Sequence, residues 1–322
     1  MIITRTPFRI SFIGGGTDLR DFYSKNGYGA VISTAIKKYV YITIHPYFHD
    51  KIRIKYSRTE DVKCVEDIEH PIVRECLRKV NIGKGMEIAS FADVPAGTGL
   101  GSSSAFTVGL LHALYTYEGK TISKEKLAQD ACDIEINILG EPIGKQDQYA
   151  AAYGNVNLIK FNSNESVEVI PLLLTESVEN MIEQSLRLYY TGIFRKTRNI
   201  LLEQKANMGI NEKFNLARNL LFLLDDFKIA LNNGEINQIG NILHKGWLNK
   251  KLLSGGISND YIDELYGKAM NYGATGGKLL GSGGGGFLLL QSNDHKLLEE
   301  KLNCRMLPVN IDHEGSKLLF YE

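Results

Sequence analysis

The sequence predicts an α+β fold in two domains. Three observations carry that reading. Strand-like runs rich in β-branched and aromatic residues crowd the first half, whereas the second half turns mostly helical after a single strand. Strands and helices mix without the strict βα alternation of a doubly wound sheet. The 322 residues suit two domains of roughly 150 residues each, and Pro171 is a plausible end of the first, so the expected units are 1–172 and 173–322.

Residues 1–13 alternate and read as a strand, broken by Gly14-Gly15-Gly16 and followed by a short helix over 19–25. Strands are expected at 30–36, 39–46 and 51–56. In the second of these Val40, Ile42 and Ile44 mark one buried face. A helix over 72–80 and a strand over 86–91 precede a glycine-rich loop and a helix over 106–117. Ser123 is a good N-cap for the next helix, whose apolar face carries Leu127, Ala131, Ile134 and Ile138 and which ends near Gly140. Strands follow at 156–161, 167–170 and 186–191. Helices are expected at 196–208, 212–232, 236–251 and 262–272, with Trp247 in the core. A second glycine tract, Gly281 to Gly286, leads into the apolar strand 287–291. A helix over 294–302 and two short strands close the chain.

Composition narrows the function. Hydrophobic residues are 43% and charged residues 23%, ordinary for a globular protein. Lys+Arg and Asp+Glu are 37 each, so no global field recruits nucleic acid or an anionic membrane. Charge near zero allows self-association, and a homo-oligomer stays open. The four cysteines form no CxxC pair, which argues against a disulfide scaffold or zinc site and fits a reducing compartment. The N-terminus lacks a secretory pattern, and no run approaches the roughly 18 apolar residues of a membrane helix, so a cytoplasmic protein is expected. The seven histidines show no ligand spacing.

The stretch Pro95-Ala96-Gly97-Thr98-Gly99-Leu100-Gly101-Ser102-Ser103-Ser104-Ala105 stands between a strand and a helix. Its glycines permit tight turns and close approach to a ligand. The following helix offers unpaired N–H groups and a partial positive charge, which together suit an anion such as a nucleotide phosphate. The plainer reading is a structural turn capped by Ser102. A Walker A loop is excluded by the missing lysine, and neither glycine triplet spells a dinucleotide fingerprint.

Four segments combine: Thr6 to Asp18 with Gly14-Gly15-Gly16-Thr17-Asp18, Pro95 to Ala105, Gly140-Glu141-Pro142-Ile143-Gly144-Lys145-Gln146-Asp147-Gln148, and Lys278 to Phe287. In content and order they resemble the GHMP kinase family, and the resemblance runs from residue 4 to residue 287. It implies a ribosomal-S5-like N-terminal domain and a ferredoxin-like C-terminal domain, with ATP and Mg²⁺ as cofactors. Phosphoryl transfer needs a phosphate cradle, a metal, a group on the attacking hydroxyl and a cation. By the family pattern the ATP cradle is Pro95, Gly97, Gly99, Leu100, Gly101, Ser102, Ser103 and Ser104, and Ser103 and Glu135 hold the metal. A solvated helix glutamate, or a pair with Lys124 or Lys126, is the plainer reading of Glu135. Asp147 is the candidate base and Arg9 its cationic partner. Lys145 is either a second cation or surface.

Gly15, Gly16, Thr17 and Asp18 are expected to meet the sugar. Galactokinases carry Glu-His at Gly15-Gly16, which argues against galactose. The text is most similar to the heptose kinase branch, with fucokinase-like domains as near relatives. That implies a sugar 1-kinase acting on D-glycero-D-manno-heptose 7-phosphate for cell-surface glycan precursors. Arg195, Lys196 and Arg198 would take the distal phosphate, or else form a solvated basic helix start. Gly283 and Gly284 would shape the substrate end through backbone. Tyr39, Tyr41 and Tyr149 are candidate pocket aromatics. The alternatives are a fucokinase-type or other hexose 1-kinase, a non-sugar alcohol kinase, and a non-catalytic sugar sensor on the kinase scaffold.

Overall fold

A computed structural model describes residues 1–194 and 198–322. Strand β1 (Ile2–Ile13) leads through the glycine triplet to helix α1 (Arg20–Asn26) and strand β2 (Tyr28–Pro46). The two strands expected at 30–36 and 39–46 are one. Lys37 and Lys38 make no turn, and β1 pairs with both ends of β2 across a bulge at Pro7/Phe8. Strands β3 (Ile52–Lys55) and β4 (Thr59–Val62), helix α2 (Pro71–Val80) and strand β5 (Met86–Ala92) follow. Helices α3 (Ser102–Tyr117), α4 (Lys124–Cys132) and α5 (Gln146–Tyr153) then precede strands β6 (Val156–Asn162) and β7 (Val167–Pro171). The Ser123 hydroxyl accepts from Lys126 N–H at 3.2 Å, as the capping pattern predicts.

The remainder comprises α6 (Glu176–Ser185), β8 (Leu186–Tyr190), α7 (Arg198–Asn207), α8 (Asn211–Asn233), α9 (Ile236–Lys251), α10 (Asp260–Asn271), β9 (Ala274–Leu279), β10 (Phe287–Ser292), α11 (His295–Leu302), β11 (Met306–Pro308) and β12 (Lys317–Tyr321). The expected α+β character holds. One sheet runs β12-β1-β2-β5-β3-β4, and β6 and β7 extend it from the first half of β2. A second, four-stranded antiparallel sheet runs β11-β8-β10-β9. The last strand therefore returns to the first sheet, beside β1. Among the described residues no helix is long and apolar enough to cross a membrane.

The first sheet meets the helices of the second half along an apolar seam. Phe12 of β1 stacks on Phe227 of α8 at 5.2 Å, and Phe22 of α1 stacks on Phe214 at 4.8 Å. Trp247 is fully buried in α9, as its spacing predicts. The seam also brings the two glycine tracts into backbone contact. A Cβ on Gly99 (φ +81°) would lie 2.6 Å from the Leu280 carbonyl oxygen, so only glycine permits this approach.

Candidate active site

The glycine loop ends in an open helix N-terminus. Gly101 (φ +76°) is the cap residue of α3, and no side chain caps the helix. The helix starts at Ser102, four residues before the expected position, and Ser102 lies inside it rather than capping it. Its first N–H groups and the hydroxyls of Ser102 and Ser103 border a cleft of about 690 Å³ between the two halves.

Arg9 and Asp147 form a bidentate ion pair in this cleft. Arg9 Nε donates to Asp147 Oδ1 at 2.8 Å, and Nη2 donates to Oδ2 at 2.6 Å. Nη1 donates to the Gly99 carbonyl at 2.7 Å, which ties the pair to the loop. Two parallel bonds fix a planar carboxylate in orientation as well as position. Asp147 sits in the first turn of α5, a helix that the glycines at 140 and 144 hide from sequence patterning. Gln146 supports it, donating from Nε2 to Oδ1 at 3.1 Å, while Ser11 Oγ donates to Gln146 Oε1 at 2.8 Å.

Asp18 is buried beside them. Gly16 N–H donates to its Oδ1 at 2.9 Å. Burial first, and the Asp147 carboxylate second, raise its carboxyl above the ordinary value of 3.8. Gly144 has to be glycine here, because a Cβ would meet Asp18 Oδ2 at 2.0 Å.

Glu135 lies on a π-helical turn, Asp133–Ile138, that continues α4. Such a turn inserts a residue into the helical register and is common at functional sites. The side chain is 1% exposed. Ser103 Oγ donates to its Oε1 at 2.5 Å, and Gln148 Nε2 donates to Oε2 at 2.7 Å. Burial raises the carboxyl, and these hydrogen bonds oppose the rise. The lysine pairing considered above is not made, since Lys126 binds Asp130 and Lys124 binds backbone carbonyls. A buried carboxylate beside a hydroxyl on the cleft wall is a hard-oxygen pair that suits Mg²⁺, which takes few protein ligands and keeps its waters. Among the described residues no cluster of three or more His, Cys, Asp or Glu competes with it.

Gly15, Gly16, Gly97, Gly99 and Ser104 line the same cleft. Several other expected residues do not. Pro95 is exposed and anchors the turn, its carbonyl accepting from Thr98 Oγ1. Leu100 is in the core, and its carbonyl accepts from Arg9 N–H. The Thr17 hydroxyl is spent on the carbonyls of Gly14 and Ala30. Gly283 and Gly284 pack on Ile257 instead of facing the cleft. Tyr39 bonds Asp312, Tyr41 packs against Tyr39, and Tyr149 is buried against Glu125. Lys145 binds Glu165 at 2.6 Å, away from the cleft. Arg198 is on the cleft wall, paired with Glu141 at 2.6 Å. Arg195 and Lys196 lie outside the described residues.

Sequence reasoning missed Lys250, which lines the cleft from α9 and is 6% exposed. It follows Leu243 and Trp247 by seven and three residues, in phase with the buried face, which is the signal that could have found it. Burial pushes its ammonium down to about 8. Also missed was the apolar end of the cleft, where His70 meets Tyr56 edge-on and lies tilted against Phe106, beside Val40 and Ile72.

Comparison with known proteins identifies the family. The family profile for the GHMP kinases N terminal domain matches residues 68–155, and that for the GHMP kinases C terminal matches residues 227–306. The chain is 30% identical over 302 residues to the D-glycero-alpha-D-manno-heptose 7-phosphate kinase of Campylobacter jejuni, covering 89% of this chain and 88% of that one. It is 27% identical to the bifunctional fucokinase/GDP-fucose pyrophosphorylase of Arabidopsis thaliana, covering 91% of this chain but 30% of that longer protein. The crystal structure of a D-glycero-D-manno-heptose 1-phosphate kinase from Bacteroides thetaiotaomicron superposes over the whole of both chains with TM-score 0.78 and 25% identity. The chain belongs to the GHMP kinase family, and it is a kinase of the two-domain architecture shared by these proteins.

Proposed function

We propose that the protein transfers the γ-phosphoryl group of ATP to the anomeric hydroxyl of D-glycero-D-manno-heptose 7-phosphate. The observation that carries this reading is Asp147, fixed by two Arg9 hydrogen bonds and only 3.1 Å from where a Cβ of Gly101 would sit, at the open start of α3. The identity to a heptose 7-phosphate kinase supports the choice of sugar.

In this reading the aromatic end of the cleft, with Tyr56, His70 and Phe106, takes the adenine. Gly97 to Ser104 cradle the triphosphate with backbone N–H groups. Asp18 accepts hydrogen bonds from sugar hydroxyls, beside the Gly15-Gly16 backbone. Asp147 orients the acceptor hydroxyl and takes its proton as the new O–P bond forms and the bond to the β–γ bridging oxygen breaks, releasing ADP. Arg9 holds the carboxylate in line. Ser103 and Glu135 would hold Mg²⁺, which supplies charge neutralisation on the phosphate oxygens. The working units are 1–172 and 173–322, with β12 returned to the first.

Arg198 favours a second reading. Its charge is already paired with Glu141, so a distal phosphate would meet a neutralised cation, whereas an unphosphorylated sugar asks nothing of it. A fucokinase-type 1-kinase fits that observation and the fucokinase relative. The test is ADP release with Mg-ATP across heptose 7-phosphate, free heptose, mannose, fucose and galactose. Turnover confined to heptose 7-phosphate supports the first reading, and turnover on an unphosphorylated sugar supports the second. Nucleotide or sugar binding with no turnover would favour a sugar sensor.

A further inference from the structure

We propose that Lys250 is a phosphate-binding residue of the transfer reaction, its ammonium donating hydrogen bonds to the oxygens of the phosphoryl group as that group passes from ATP to the acceptor. The assignment rests on the phosphotransfer reading of the cleft but not on the identity of the sugar.

Three described residues bring positive charge to the cleft wall, and two are committed. Arg9 is bound by Asp147 and the Gly99 carbonyl, and Arg198 is bound by Glu141. Lys250 is the third. More than nine-tenths buried, it makes no ion pair among the described residues, and its Nζ donates only to the Gly281 carbonyl. A lysine ammonium has three donors, so two remain for a ligand. Burying a cation without a carboxylate is costly, and an anion in the cleft offsets that cost.

The location suits the transferring group. Gly281 is in backbone contact with Gly99: a Cβ on Gly281 would lie 2.5 Å from the Gly99 Cα. Lys250 therefore reaches the cleft where the second glycine tract touches the phosphate loop, beside the Arg9–Asp147 pair. The charged groups that face it are Arg9 from β1, Lys278 from β9, Asp18 from the glycine turn and Asp147 from α5. Lys278 is itself buried, donates to the Phe12 carbonyl at 2.8 Å and does not line the cleft. It ties β9 to β1 behind the cleft, while Lys250 reaches into it.

The test compares the wild-type protein with Lys250→Met, which keeps the apolar stem of the side chain without its ammonium, and with Lys250→Arg. Calorimetry measures the affinity for Mg-ADP alone and for Mg-ADP with aluminium fluoride, a mimic of the transferring phosphoryl group. A melting curve accompanies each variant. Lys250→Met is expected to melt at or above the wild-type temperature, since an unpaired buried charge is removed. It is expected to bind Mg-ADP as wild type does and to lose about tenfold or more of the affinity that aluminium fluoride adds, while Lys250→Arg keeps most of it. Full retention of the aluminium fluoride gain in Lys250→Met overturns the assignment. A melting point lowered by several degrees, or failure to fold, assigns the lysine to structure and overturns it too. A wild-type protein without affinity for Mg-ADP overturns the phosphotransfer reading itself.

Discussion

Replacing Asp147 with Asn separates chemistry from binding. In the wild type Arg9 Nε and Nη2 reach Oδ1 and Oδ2 at 2.8 and 2.6 Å. The amide can accept from one of these donors but places its own NH₂ opposite the other. It also cannot take a proton from the acceptor hydroxyl. Loss of a positioned base costs about 10²–10⁴ in kcat, which is about 2.7–5.4 kcal/mol of barrier. The structural cost is smaller. Asp147 is 25% exposed and Arg9 6% exposed, so the loss falls below the about 3–5 kcal/mol of breaking a fully buried pair. The assay is coupled ADP release with kcat and KM determined separately, beside Mg-ATP affinity by calorimetry. The expected result is a kcat lowered by about 10²–10⁴ with Mg-ATP affinity changed less than about threefold. A folded variant with kcat within about tenfold of wild type refutes the role of Asp147.

Other perturbations read the remaining parts of the site. Ser103→Ala removes the hydroxyl beside Glu135, so the Mg²⁺ concentration for half-maximal turnover is expected to rise about tenfold, measured by metal titration at saturating ATP. Gly99→Ala meets the Leu280 carbonyl at 2.6 Å from a left-handed backbone and is expected to lose at least about 1–2 kcal/mol of stability, read as a lower urea midpoint at unchanged m-value. Asp18 has a raised carboxyl, so on acidification it protonates before an ordinary carboxylate and loses acceptor strength. The kcat/KM for sugar is expected to fall on that limb in wild type and to lack it in Asp18→Asn. Because the folded state holds this proton more tightly than the unfolded chain, the contribution of Asp18 to stability falls as pH rises above 3.8. Denaturant titrations from about pH 4 to about pH 7 should therefore shift progressively in favour of Asp18→Asn.

The sequence carried much of this, and the gaps have physical causes. Local signals were strong where side chains dictate backbone: the alternation of Val40, Ile42 and Ile44, the Ser123 cap, and the glycines at 97, 99 and 101, all at positive φ. They failed where distant partners decide. β2 runs through Lys37-Lys38 because β1 pairs with it on both sides of them, from Ile32 to Ile44, a contact no local window contains. Helix α5 was invisible because its first turn follows two glycines, yet Asp147 depends on it. The motif residues Arg9, Asp18, Ser103, Glu135 and Asp147 converge as their order suggested. Thr17, Leu100, Gly283 and Gly284 belong to the same motifs but serve the backbone turns and packing that shape the cleft. Lys250 was overlooked because a lysine near a helix end reads as a solvated charge, and only its phase with Trp247 marks it as buried.

The most direct test of the central claim is the position of the new phosphate. Phosphorus NMR of a reaction with Mg-ATP and D-glycero-D-manno-heptose 7-phosphate should show a second sugar phosphate resonance coupled to the anomeric proton, appearing as ADP forms. Transfer to any other hydroxyl, or ADP accompanied only by inorganic phosphate, would contradict the account.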